Sequence, residues 1–579
     1  MRRIWLLLLA AMLVVAGCAN IPEESTPHAV HDDKVKPSGG VPQPTPDLKP
    51  DDLVREFVHS SANPEAAEMY LTEEAREQWN SGLPPILIQD TYGVTPPPDN
   101  GPADNGEDEG DDSRAAVSLR VTQFGRIGSD QAFVPAIDNE EHRIELRRID
   151  GQWRIDTPPP SRVFVPLTDF EAAYLPVTVY YFDNDLRVTV PDLRYVPRQP
   201  ASGLPARVMS VLLSGPSDTL RRSVRSPLEG IGTRTNPVPD PDGTLVVDLK
   251  PMGDKSRQQR ELIAAQIVLT LQDVTSSRLR LKGDGQDLID GHSDWRKSDL
   301  KPYDALTKPN ADQPGLMVVD GRLRSLEDGK EIEGPAGNGQ YNVVSAAQSI
   351  DGGQLAVVER TDVGLRLRVG PFDGPLQEAD LEAATTMTRP TWLVSTSSDQ
   401  PSREVWTVED GNVVRIVSTP DEKWTSFEVN TSELDSFGTI TELRLSRDGT
   451  RVAAITAEGR LIVASVARDN DSVILRSPRR LQPTVIVAPV GVDWYNQHTL
   501  VVATEQQNLP VASVSVDGMV LEAYDRSNLR PPVRAITAAP DRDVVVTDSA
   551  AVFGVPTIGQ LWRQLPHGQG PTSVPFYPG

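Results

Sequence analysis

The chain has 579 residues, a formal charge of −25, 38% hydrophobic residues and a single cysteine, Cys18. That much apolar material excludes a wholly disordered chain. The acidic balance argues against a nucleic-acid binder and against electrostatic docking on an anionic membrane, and one cysteine excludes internal disulfides, cysteine zinc sites and iron–sulfur clusters.

Met1-Arg2-Arg3 followed by an apolar run over 4–16 has the form of a signal peptide, with a hydrophobic stretch too short to span a bilayer comfortably. It ends in Val15-Ala16-Gly17-Cys18, which is similar to a bacterial lipobox. The likeness implies that residues 1–17 are removed and that Cys18 is the lipidation site, carrying a diacylglyceryl thioether and acyl chains of the palmitate kind. Residues 18–50, rich in Pro, Asp, Lys and Gly with no apolar period, are expected to form a flexible lipidated tether. No later segment is apolar for 18 residues, so the lipid alone is expected to hold an otherwise soluble chain at the membrane.

The first folded region is expected over 51–165. Asp51-Asp52 is placed as the cap of a helix whose apolar face is Leu53, Val54, Phe57 and Val58. Asn63-Pro64 opens a second helix carrying Ala67, Tyr70 and Leu71, and Trp79 closes the next segment. Strands follow, with Val117, Leu119 and Val121 on one face, then Ile144 and Leu146, then an Asp150-Gly151 turn into Gln152-Trp153-Arg154-Ile155. Helices and then a strand meander ending in Gly-x-Trp-x-Ile are similar to the NTF2-like α+β cone. Between them, Asp99, Asp104, Glu107, Asp108, Glu109, Asp111 and Asp112 crowd one loop. Carboxylates suit calcium, but the D-x-D-x-D-G spacing is absent, so a solvated insertion is expected and no metal is assigned.

The second region is expected over 170–300. A strand over 177–182 turns at Asp183-Asn184-Asp185 into a return strand over 186–190; a helix over 204–213 stops at Gly215-Pro216. A strand over 245–249, a helix over 257–275 with Leu262, Ile263, Ile267, Leu271 and Val274 inward, and a short strand over 279–281 complete it. Tyr180-Tyr181-Phe182 with its turn, Leu212-Leu213-Ser214-Gly215-Pro216 and the helix stretch over 265–271 resemble the GerMN domain of sporulation and germination proteins. A Gly-Pro helix stop explains the most specific of these elements without chemistry, so no site residue is assigned there.

The third region, over 311–570, repeats. Hairpin turns recur at Asp320-Gly321, Asp410-Gly411, Glu458-Gly459 and Asp517-Gly518. A Ser-x-Asp-Gly element precedes apolar strands at 349–352 and 446–449, with a degenerate copy at Pro540-Asp541, and Trp392 and Trp494 end strands between them. Equivalent positions recur at about twice a 47–51-residue unit, the length of a four-stranded propeller blade, and the region holds five or six such units. A hairpin over 316–326 is expected to complete the last blade. The aspartates are read as turn residues, and the two tryptophans as blade packing rather than sugar platforms.

No G-x-S-x-G elbow, H-E-x-x-H, Walker or Rossmann fingerprint is present, and of the seven histidines only His28 and His31, in the tether, stand at a metal-ligand spacing. No catalytic residue, cofactor or metal is therefore assigned. Lipobox, α+β domain, GerMN domain and β-propeller in this order resemble the LpqB family of actinobacterial lipoproteins over essentially the full chain. The resemblance implies a lipid-anchored, non-enzymatic protein on the extracytoplasmic face of the cell membrane. Its partner would be the extracytoplasmic domain of a sensor kinase such as MtrB of the MtrAB two-component system, with effects on cell-wall homeostasis and division. A peptidoglycan-binding module and a propeller hydrolase are the alternatives; which face meets a partner is left open.

Overall fold

In the computed structural model, the residues described are 43–579 except 81, 97–112, 160–161, 238, 302, 304–306, 395–400, 470–471 and 567–569. Cys18, the signal peptide, the tether up to residue 42 with His28 and His31, and the acidic residues at 99–112 lie outside them.

The first module is α+β. Its opening helix, Pro50–Ser60, buries Leu53, Val54, Phe57 and Val58 as the pattern requires. Lys49, not Asp51 or Asp52, holds the cap position, because Pro50 takes the first helical place and moves both aspartates into the first turn. Asn63 caps the short Pro64–Glu68 helix, and Trp79 ends Glu73–Gln78. The helices cover a sheet whose spine is the long antiparallel pair Arg114–Ile127 and Phe133–Ile149, flanked by Gln152–Thr157 on one side and Ile86–Ile88 and Phe164–Pro166 on the other. Asp150 and Gly151 both have positive φ, the geometry a two-residue hairpin needs.

The second module pairs Thr244–Lys250 in parallel with Arg278–Gly283, the connection running through the Arg257–Leu271 helix. Ser256 and Gln259 close a reciprocal capping box at that helix's start. The helix ends at Leu271, so Val274 lies beyond it, partly buried against the core. Leu204–Leu213 is helical as expected and stops at Gly215, whose φ is +94°. Tyr174–Phe182 and Thr189–Pro197 form a separate two-stranded hairpin. Its return strand begins at Thr189 rather than 186, because the Asp183 carboxylate accepts the amides of Arg187 and Val188 and keeps them in the turn.

Among the described residues the third module has six sheets, five of four strands and one of three. The first strand of each four-stranded sheet meets that of the next, and Val574–Phe576 of the three-stranded sheet meets the first strands of the two sheets beside it, so the sheets form a ring with these strands innermost. The 316–326 hairpin does not complete the last four-stranded sheet, which spans 535–564. With the C-terminal strand Val574–Phe576 it makes a sixth blade of its own, and the propeller runs past 570 to reach it. Trp392 and Trp494 are 2% and 1% exposed, and each indole N–H donates to an inner strand of the preceding blade, at Ala347 O (2.9 Å) and Arg444 O (3.1 Å). They are packing residues. In the Ser-x-Asp-Gly turns, Ser349 and Ser446 donate to the Oδ1 atoms of Asp351 and Asp448 at 2.5 and 2.6 Å, so one oxygen of each aspartate holds the turn, while the other accepts from outside it, from Ser402 and Gln497.

Candidate functional site

The Thr189–Pro197 strand is the point where the three modules meet, and none of its residues is exposed. A free hairpin strand with this sequence would turn Asp192 and Arg194 to water. Here both faces are covered, and the two side chains, 5% and 0% exposed, pair at 2.6 Å. Arg194 also donates to the carbonyl of Asp130 in the first module and, at 3.2 Å, to that of Gly215. Burial works to raise the Asp192 carboxyl, but Arg194, the Ser217 amide and Arg451 outweigh it and hold the group below the usual carboxylate range. A buried pair of this kind fixes an arrangement more than it stabilises one, since each charge costs several kcal/mol to desolvate.

Tyr195, the next residue, belongs to all three modules at once. Its backbone sits in the hairpin, and its amide donates to the carbonyl of Gln131 at 2.9 Å. Its ring lies 5.6 Å from that of Phe170 in the core of the first module. Its hydroxyl donates to Asp517 Oδ2 of the propeller at 2.8 Å. Burial first, then the Asp517 charge, push the phenol above its ordinary value, so it stays a donor. The propeller reaches back through Met519, part of the first module's core, and through Arg479, which donates to Phe133 O at 2.9 Å. Against the hairpin itself, Arg451 donates to Pro191 O at 2.5 Å and Gln497 to Thr189 O at 2.7 Å, while Val188 packs on Ile350 and Val394.

Asp517 and Asp448, which pattern alone reads as turn residues, thus also face the junction. Tyr195, Arg194, Asp192 and Arg451 carry no sequence signal for this role beyond being polar residues in or beside strands. The space left at the junction is about 40 Å³, against roughly 300 Å³ or more for a small-molecule site. The junction is therefore a mechanical tie and not a pocket, and 44–579 form one compact unit. Among the described residues no group of three or more His, Cys, Asp and Glu is placed to hold a metal ion.

Three family models match the chain in the order of its modules: the lipoprotein LpqB N-terminal domain over 43–171, a sporulation and spore germination domain over 178–289, and the lipoprotein LpqB β-propeller domain over 321–578. A lipoprotein LpqB of Mycolicibacterium smegmatis is 31% identical along the whole of both chains. The chain belongs to the LpqB lipoprotein family. A second family member, from Nocardia farcinica, is 30% identical over 99% of this chain and 97% of its own. The matches to these LpqB proteins run through the full succession of α+β domain, GerMN domain and propeller, the succession that Tyr195 ties together in this chain. Among solved structures, a chain of the nidogen/laminin complex matches 45% of this chain and 97% of its own at 8% identity and a TM-score of 0.32.

Proposed function

We propose that this protein is an extracytoplasmic accessory lipoprotein, anchored through Cys18, that binds and modulates a membrane sensor kinase of two-component type and so acts on cell-wall homeostasis and division. The observation that carries the reading is the tie at Tyr195. Three modules held as one body offer a partner a single, fixed surface, as a regulator with two states to discriminate requires. Binding shifts a kinase only by the difference in affinity for its two states. A body that does not yield at its joints keeps that difference from being spent on its own rearrangement. Anchor and tether would add effective concentration, since the roughly 25 residues between Cys18 and the described body reach at most about 90 Å from the membrane even if fully extended. A weak, reversible interface then suffices. On this reading the protein performs no chemistry of its own, and its first module keeps the NTF2-like shape as scaffold.

Two measurements test it. The full-length chain in detergent is passed over the immobilised extracytoplasmic domain of the kinase and, separately, over purified peptidoglycan. Retention on the kinase alone is expected, and retention on peptidoglycan alone would replace this reading with wall binding. In cells, Cys18→Ser is expected to leave the protein unprocessed or released and the kinase output unregulated. Full regulation by a soluble Cys18→Ser protein at matched abundance would remove the tethering argument.

A further inference from the structure

Although the chain is strongly acidic, the axis of the propeller is not. Arg389, Arg444 and Arg447 lie buried there, 8%, 5% and 5% exposed. Two acids answer them. Asp493 is already engaged, accepting from Arg389 Nη2 at 2.8 Å, Thr537 Oγ1 at 2.8 Å and the Ala538 amide at 3.2 Å. Glu442 touches Arg444, but burial pushes its carboxyl up toward the neutral form. Backbone carbonyls take further N–H groups, Pro575 O from Arg389, Arg389 O and Leu443 O from Arg444, and Ala538 O from Arg447, but carbonyls carry no net charge, so positive charge stays in surplus and is costly in a low-dielectric channel unless an anion answers it.

The channel opens beside this cluster. A cavity of about 610 Å³ is lined by the first residues of the inner strands, Ser345, Ile440 and Val574 among them, with Arg444 deeper along its strand, Arg389 in the wall and Arg534 at the rim. Its volume is that of a small-molecule site. It lies at the end of the inner strands away from Ile350, Asp448 and Gln497, where the hairpin docks, so the other modules do not cover it. Arg534 is exposed and, among the described residues, has no acid within ion-pairing distance. The one aspartate at the rim, Asp410, is occupied by the amides of Thr385 and Thr386 at 3.1 and 2.7 Å. Two buried polar atoms of the lining, Ser345 Oγ and Arg444 Nε, have no hydrogen-bond partner among the described residues. Native interiors seldom leave such atoms unanswered.

We propose that this mouth of the propeller binds a small organic acid, sugar- or peptide-sized, whose carboxylate or phosphate is held over Arg444 and Arg389 and capped from the rim by Arg534. Guanidinium groups recognise both acids through paired, charge-assisted hydrogen bonds. The cavity sets the size of the body behind the acid group. The inference stands apart from the kinase reading and uses none of its residues.

Calorimetric titration of the full-length chain in detergent tests it with three probes: glucuronate for the carboxylate, glucose 6-phosphate for the phosphate, and methyl glucoside as the neutral control. One or both acids should bind and the neutral sugar should not; which acid binds identifies the group recognised. Arg534→Ala, at an exposed position, should weaken binding about tenfold, the loss of one hydrogen bond to a charged group, with the urea midpoint of the free protein unchanged. Ser345→Ala provides a second, smaller perturbation of the same site. Binding of neither acid at 10 mM concentration (on the order of the weakest useful affinity), equal binding of the neutral sugar, or acid binding that Arg534→Ala leaves unchanged would each overturn the proposal.

Discussion

Tyr195→Phe removes one oxygen from the point where the three modules join. The ring stays, and with it the packing on Phe170. What goes is the donor 2.8 Å from Asp517 Oδ2. The other carboxylate oxygen keeps Ser515 Oγ at 2.5 Å and the Met519 amide at 3.0 Å, so the turn survives while one face of a buried charge loses its partner. A hydrogen bond to a buried ionised group is worth about 1.5–3 kcal/mol. Spread over some 540 residues unfolding together, with an entropy near 2.1 cal/mol/K per residue, that is a fall of only about 2 °C in the thermal midpoint. Heat is therefore a poor probe, and urea unfolding followed by tryptophan fluorescence is the assay to use. The decisive form is a double-mutant cycle with Asp517→Asn, in which the two changes should couple by at least about 1 kcal/mol. A coupling energy below about 0.5 kcal/mol, the scatter of independent sites, would refute the tie at Tyr195: the modules would then be held by their other contacts, and the Tyr195 hydroxyl would be a passenger.

Other expectations concern the rest of the molecule. Phe576, fully buried in the strand that closes the ring, should cost about 3–5 kcal/mol on replacement by alanine, read as a lower urea midpoint; a shift under 1 kcal/mol (on the order of a typical surface change) would mean that the ring is stable without its closing strand. His498 is held below its ordinary value by burial and by Arg451, with Asp517 working the other way. The unfolded chain therefore takes up the proton first, so this contribution is complete above about pH 6.5 and is lost as pH falls below it. The urea midpoint should drop between pH 7.5 and 5.5, and His498→Gln should flatten that slope; an unchanged slope would assign the loss to other groups. Deleting residues 99–112 should move stability by no more than about 0.5 kcal/mol in calcium or in chelator, and calcium-dependent melting of the parent chain would make the loop an ion site after all.

Local rules carried the sequence far and failed where the third dimension intervened. Leu204–Leu213 was legible because an apolar helical period runs into Gly215, whose positive φ ends it. The turns at Asp150-Gly151, Asp320-Gly321 and Asp410-Gly411 were legible because both residues of each take positive φ. Glu458-Gly459 and Asp517-Gly518 look alike in sequence, yet only their glycines do so, and Asp517 is turned toward Tyr195 instead. The Thr189–Pro197 strand was the main loss. Asp192 and Arg194 look like the wet face of a hairpin, and only partners distant in sequence, Asp130 in the first module, Gly215 and Ser217 in the second and Arg451 in the propeller, make that face dry. The sixth blade was ambiguous for a related reason: its strands come from the two ends of the domain, so no repeat period can announce it.

That split blade also sets an order of events in time. The hairpin strands Leu316–Val319 and Arg322–Ser325 lie about 250 residues ahead of Val574–Phe576, their innermost partner, and so reach the folding side of the membrane first when the chain is exported from its N-terminus. Until the last strand follows, the edge of Leu316–Val319 has no strand to pair with and the ring stays open. The last six residues of the chain thus act as a latch. Until they arrive, the protein is a set of parts with a sticky edge, which is the window in which a chaperone would be needed or a protease would succeed.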